Sequence, residues 1–262
     1  MLFVGYLVLG AFAGMLAGLF GIGGGLIIVP VLVLSFHAQG VPPDIITHLA
    51  LGTSLPTMIF TGFSSLRAHQ EAGAVDWVMI RRLGAGMLVG AWLGGMTANL
   101  LSASTLNIII GCFAWTMALQ MGLNLKPKAE RHLPGPVGTG IAGTVIGWMS
   151  ALFGIGGGSL TVPYLSWNSV PMRNAVAASA ACSMPIALAG SLSYLYAGWG
   201  HADLPEWSVG YIYLPALLGI VLTSTQFARV GARLAHKLSP KRLKQAFALL
   251  MLVVGAKFML FS

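Results

Sequence analysis

The residues best placed to do chemistry are glycines. The heptapeptide Leu19-Phe20-Gly21-Ile22-Gly23-Gly24-Gly25 recurs without change as Leu152-Phe153-Gly154-Ile155-Gly156-Gly157-Gly158. Glycine adopts positive φ freely and lets backbone approach a ligand closely. Each run precedes a short apolar stretch that reads as a new helix. The first N–H groups of such a helix are free and its dipole end is positive, which suits an anion. The candidate substrate-binding residues are therefore Gly21, Gly23, Gly24 and Gly25, then Gly154, Gly156, Gly157, Gly158 and Ser159. Close helix packing through small residues is the alternative reading of the same glycines. Two hydroxyl and proline clusters follow, Thr53, Ser54, Pro56 and Thr57, then Ser179, Cys182, Ser183 and Pro185. Proline inside a helix frees a carbonyl that hydroxyls or a substrate can engage. Ser54, Pro56, Ser183 and Pro185 join the candidate set on that ground, with helix–helix contact as the competing role.

Other chemistry finds little footing. The glycine runs lack a Gly-Lys-Ser/Thr ending, a strand–turn–helix setting and a downstream acidic ribose partner, so nucleotide binding is excluded. No HExxH or nucleophile-elbow pattern occurs, and no acidic residue lies mid-segment beside a His or Lys. No catalytic residue, metal ligand or cofactor is expected, and the chain is not read as an enzyme. Cys112 and Cys182 both fall in apolar segments and read as free thiols rather than a disulfide or zinc pair. His48 lies close to a block end and reads as a snorkelling interfacial residue that could titrate. Asn99, Gln120 and Gln226 are candidates for buried polar positions.

These groups must be positioned by apolar elements. Of 262 residues, 56% are hydrophobic and 8% charged, with a mean hydropathy of +0.84. A water-facing surface needs roughly a quarter to a third of its residues charged, so lipid must be the solvent for most of this one. Ten apolar blocks run about 2–20, 24–36, 44–66, 76–100, 103–124, 136–153, 159–167, 174–197, 207–230 and 241–261. Two are short: as helices, 24–36 and 159–167 would rise only ~20 Å and ~13 Å against a core of ~30 Å. They read as half-helices or the return arms of re-entrant hairpins. Val29-Pro30 and Val162-Pro163 follow the two glycine runs at the same distance, and Ser54-Leu55-Pro56 corresponds to Ser183-Met184-Pro185. The economical division is a first membrane repeat over 1–124, a connector over 125–135 and a second repeat over 136–262.

Charge placement sets the expected topology. The chain carries a net charge of +8, yet the basic residues form no stripe and nucleic acid is not an expected partner. Arg67, Arg81 and Arg82, then Lys126, Lys128 and Arg131, Arg173, and the run from Arg229 to Lys244 fill connectors of one side. Asp44, Asp203 and Glu206 fall on the other, provided each glycine-broken pair enters and returns. The positive-inside rule then makes the basic side cytoplasmic and places both termini outside. Five blocks per half invert the second repeat relative to the first, the arrangement of many secondary transporters. No Lys or Arg precedes Arg67, so the first block reads as a retained span rather than a signal peptide.

The paired glycine breaks with their Val-Pro followers resemble the TauE/SafE family of sulfite exporters, also grouped as toluene sulfonate uptake permeases. Val75-Asp76-Trp77 ahead of Arg81-Arg82, and Tyr213-Leu214-Pro215-Ala216-Leu217 ahead of Gly231-Ala232-Arg233-Leu234, are similar to that family as well. The resemblance covers nearly the whole chain. It implies a bacterial inner-membrane permease for sulfite, organosulfonates or related sulfur-containing anions. The expectation is an all-α polytopic membrane protein of two inverted-topology repeats, working by alternating access, with the anion and the lipid bilayer as partners and a homodimer as a further one. A passive anion channel and a non-transporting membrane subunit of a partner enzyme are the rival readings.

Overall fold

The computed structural model describes residues 2–20, 25–71, 73–123, 132–235 and 240–260. Among them the chain forms α1 (Leu2–Phe20), α2 (Gly25–Ala38), α3 (Pro43–Glu71), α4 (Trp77–Asn99), α5 (Ala103–Gly122), α6 (Pro136–Leu152), α7 (Gly158–Trp167) and α8 (Met172–Ala197). A two-stranded hairpin, β1 (Ser208–Val209) and β2 (Ile212–Tyr213), precedes α9 (Leu214–Ala235) and α10 (Pro240–Leu260). The protein is all-α and polytopic. Three of these helices are long and apolar enough to cross a membrane by themselves: α3, residues 103–120 of α5, and α8. Val8, Leu88, Leu119, Ile141, Leu192 and Val253 are exposed along their helices, as side chains facing lipid would be.

The helix limits follow local chemistry. Asp76 caps α4, its carboxylate accepting from Val78 N at 3.0 Å and Met79 N at 3.1 Å, which satisfies two of the donors a helix start leaves open. Pro136 opens α6 at a position where its missing N–H costs nothing. The two short helices appear where the glycine runs place them, with 14 residues in α2 and 10 in α7. The apolar block over 207–230 is not one helix. Its first residues pair as a hairpin, Ser208 with Tyr213 and Val209 with Ile212. Gly210, at φ +55°, supplies the positive φ that a two-residue hairpin turn needs.

Packing relies on small residues. Gly86, Gly90 and Gly94 bring α4 against the backbone of α6 at Gly140, Thr144 and Trp148. Gly10 and Gly14 do the same for α1 against α9, at Ile220 and Ser224. Such backbone approach is how helices associate when burial alone supplies no drive. Exchanging the halves, so that α1 takes the place of α6 and α4 that of α9, turns the second contact into the first. The pairs α3 with α8 and α5 with α10 also pack together and map onto themselves under that exchange. Asn99 and Gln226 are exposed and Gln120 is half-buried, so none is a buried polar group. That role falls to Asn107, which accepts from Thr47 Oγ1 at 2.7 Å.

Candidate functional site

The second glycine break is a helix end followed at once by a helix start. After Phe153, Gly154 turns to φ +61°. Its N–H reaches Ala151 O at 3.3 Å, and Ile155 N reaches Ser150 O at 2.9 Å. This pair of bonds is the Schellman closure of α6, and it needs a left-handed residue at Gly154. Gly157 is left-handed too, at φ +74°, and is the N-cap of α7 with no side-chain cap. Its carbonyl accepts from Leu160 N at 3.1 Å and Thr161 N at 2.7 Å. The α7 start therefore presents the N–H groups of Gly158 and Ser159 without a capping side chain.

Three hydroxyls surround this end. Ser150 Oγ, Ser159 Oγ and Thr161 Oγ1 are all buried and have no hydrogen-bond partner. Ser150 and Thr161 are each 0% exposed. A Cβ built on Gly157 would lie 3.4 Å from Thr161 Oγ1 and 3.6 Å from Ser150 Oγ, so both hydroxyls flank one spot. Leaving a buried hydroxyl unpaired costs about 1–3 kcal/mol. Three together, beside a positive helix end, form a set of donors matched to an anion.

The first break contributes through Gly25, while Gly21, Gly23 and Gly24 lie outside the described residues. A Cβ on Gly25 would overlap the Gly154 carbonyl oxygen and Met58 Cε and sit 2.9 Å from Ile155 Cα. The start of α2 is thus seated on the break between α6 and α7. Ser54 lies at the same junction. Its Oγ donates to Leu51 O at 2.8 Å and also faces Gly154 O at 3.2 Å. Ser183 donates to Ala180 O at 2.7 Å, and its Oγ would stand 2.6 Å from a Cβ on Gly62. Ser54 and Gly62 are separated by roughly 12 Å of helix rise along α3, so Ser54 and Ser183 sit at different levels and do not meet. Pro56 is buried within α3 and Pro185 half-buried within α8, where a Cβ on Gly84 would touch Pro185 at 3.6 Å. Gly156 is buried between the two left-handed glycines.

Sequence reasoning reached Ser159 but not Ser150 or Thr161. Hydroxyls in apolar helices commonly bond the carbonyl one turn back, as Thr116 does to Cys112 O at 2.8 Å. Only the fold reveals that these two do not. His48 also departs from expectation: it is 5% exposed and so does not snorkel to the surface, and its Nε2 lies 3.0 Å from Ala98 O.

A family model described as "Sulfite exporter TauE/SafE" matches residues 6–258. The chain belongs to the TauE/SafE family. A Haemophilus influenzae protein named "Probable membrane transporter protein" is 38% identical over 255 residues, covering 97% of each chain. A Methanocaldococcus jannaschii protein of the same description is 27% identical, covering 95% of this chain and 92% of its own. YunE of Bacillus subtilis, another such protein, is 29% identical, covering 98% and 97%. No solved structure matches the chain. This TauE/SafE protein is a multi-pass membrane transporter and not an enzyme.

Proposed function

We propose that the protein is a secondary transporter that moves a small sulfur-containing anion, such as sulfite or an organosulfonate, across the bacterial inner membrane by alternating access. The observation that carries this reading is the set of three unpartnered buried hydroxyls, Ser150, Ser159 and Thr161, around the uncapped start of α7. An oxyanion would accept from these hydroxyls and from the Gly158 and Ser159 N–H groups. No lysine or arginine is needed, because helix-end N–H groups supply the positive potential. Gly25, Gly154, Gly156 and Gly157 shape the approach to this spot, and Gly21, Gly23 and Gly24 join the proposed set through the repeated heptapeptide alone. Ser54 and Pro56 lie on α3, where Ser54 meets the break, whereas Ser183 and Pro185 act further along the α3–α8 pair.

Two repeats of inverted topology, 1–124 and 136–262 about a cytoplasmic connector, fit the exchangeable contacts of α1 with α9 and α4 with α6. They also fit the basic connectors lying on one side, with both termini outside. The recurrent use of a broken helix at a substrate site in such transporters supports the mechanism. The test is counterflow in proteoliposomes loaded with unlabelled sulfite. Saturable accumulation of labelled sulfite, competed by methanesulfonate, is expected. Unitary currents without counterflow would replace the carrier by a channel.

A further inference from the structure

His48, on α3, is buried between the end of α4 and the segment that forms the hairpin. Its Nε2 lies 3.0 Å from the carbonyl oxygen of Ala98. A carbonyl only accepts, so Nε2 carries the hydrogen and Nδ1 is the bare nitrogen. Nδ1 is buried and has no hydrogen-bond partner. A bare, buried imidazole nitrogen is an unfilled proton acceptor.

The end of α4 and an aromatic ring lie against the imidazole. Ala98 lies in the last turn of α4, where the negative end of the helix dipole favours a cation. The Tyr211 ring lies 5.3 Å from the imidazole, centroid to centroid, tilted by 31°, within the range at which an aromatic face attracts a cation. Burial pushes the Tyr211 phenol above its ordinary range, so it stays neutral and adds no charge.

Among the described residues, few titratable groups lie around His48. Asp44 is one turn back on α3 and exposed. From the hairpin segment come Tyr211 and, on its far side at 5.9 Å, His201. His201 is 36% exposed at its side chain and stands 3.9 Å from Asp203, which marks the wet side of the cluster. The basic residues of α4, Arg81 and Arg82, lie near its opposite end. Aligning Ser54 with Ser183 puts Ala177 at the position of His48 in the second half, and Ala177 is 0% exposed. The scaffold therefore needs no histidine there.

We propose that His48 is a proton-binding site that couples proton movement to transport, one proton accompanying each anion. The coupling rests on the transporter reading above; the proton site itself does not. α3 is the shared element, since it carries His48 at the outer cluster and Ser54 against the α6–α7 break.

Methanesulfonate is the probe, because it keeps a single negative charge across the working pH range. One proton with one monovalent anion is an electroneutral pair, so a gradient of one pH unit should accumulate methanesulfonate about tenfold. His48→Gln keeps a donor for the Ala98 carbonyl and cannot take a proton. It should lose the gradient-driven accumulation and keep counterflow at equal pH. In parallel, a full-length chain with its other five histidines replaced by Gln, labelled with 15N-histidine, is titrated in lipid from pH 8 to 5. The Nδ1 signal should move from the bare to the protonated position over that range. An Nδ1 that stays bare throughout, or equal gradient-driven accumulation in His48→Gln, would overturn the proposal. If the parent carries neither methanesulfonate nor sulfite, the anion reading fails, and the Nδ1 titration alone upholds or overturns the proton site.

Discussion

Gly25, at the start of α2, sits against the carbonyl oxygen of Gly154 so closely that no side chain fits between them. The two identical heptapeptides, distant in sequence, are thereby joined backbone to backbone. A Cβ on Gly154 would in turn stand 2.8 Å from Ser54 Oγ and 2.7 Å from Val29 Cγ2. The junction of α2, α3 and the α6–α7 break is thus a place where only glycine is tolerated, and the uncapped start of α7 opens a few residues further on.

Gly157→Ala separates conformational strain from site geometry when set beside Gly40→Ala. Both glycines have φ +74°, but nothing lies within 4 Å of a Cβ on Gly40, whereas one on Gly157 would be 2.7 Å from Ile186 Cδ1. Each substitution should cost about 1–3 kcal/mol of stability from the left-handed backbone. Transport should survive in Gly40→Ala and be lost in Gly157→Ala, with both proteins reaching the membrane. Thermal unfolding and sulfite counterflow of the two variants check this.

Ser150→Ala and Thr161→Val should move stability and affinity in opposite directions. Removing an unpartnered buried hydroxyl relieves a desolvated group, so the ligand-free melting temperature should be unchanged or higher. Losing a donor to the anion should weaken binding by about 1–3 kcal/mol, roughly 5- to 150-fold. Titration of each purified variant with sulfite, beside its melting curve without ligand, gives both numbers. A lowered melting temperature with parental affinity would make the two residues structural.

Asp76→Ala should lower stability by about 1 kcal/mol through loss of the α4 cap. Sulfite affinity should not change, because the Asp76 carboxylate bonds Val78 N and Met79 N at the exposed start of its helix. A urea or heat unfolding series with one affinity measurement decides it.

Much of this architecture was legible in the chain. Runs of apolar residues mark the long helices, and the glycine runs mark where α2 and α7 begin. The hairpin was not legible, because Trp207 to Tyr213 continues without a break in hydropathy into α9. What folds it back is tertiary: Tyr211 N bonds Tyr194 O at 3.2 Å, and a Cβ on Gly198 would overlap Tyr211 N. Tyr213 N also bonds Thr53 Oγ1 at 3.0 Å. His48 was misplaced for a related reason. Its position near a block end suggests a side chain that snorkels outward, yet the carbonyl of Ala98 at the end of α4 draws it inward. The glycines of the site were readable as a repeat; the free hydroxyls of Ser150 and Thr161 were not, since their lack of partners is a property of the packed helices.

The inverted arrangement predicts opposite labelling of the hairpin side and the connector. A cysteine at Asp203, which is exposed, should react with a membrane-impermeant maleimide in intact cells. Cysteines at Lys128 and Ser239, which lie outside the described residues, should be shielded until the membrane is opened. Equal labelling of Asp203→Cys and Lys128→Cys in intact cells would remove the inversion.

Selenite is the heavier homologue of sulfite, and its selenium scatters anomalously. Crystals of the protein grown with selenite, measured at the selenium edge, locate the anion directly. The account predicts one strong anomalous peak at the start of α7, with oxygens within hydrogen-bond distance of Ser150 Oγ, Thr161 Oγ1 and the Ser159 N–H. A single ordered peak elsewhere in the helices, with these hydroxyls still unpartnered, would contradict it.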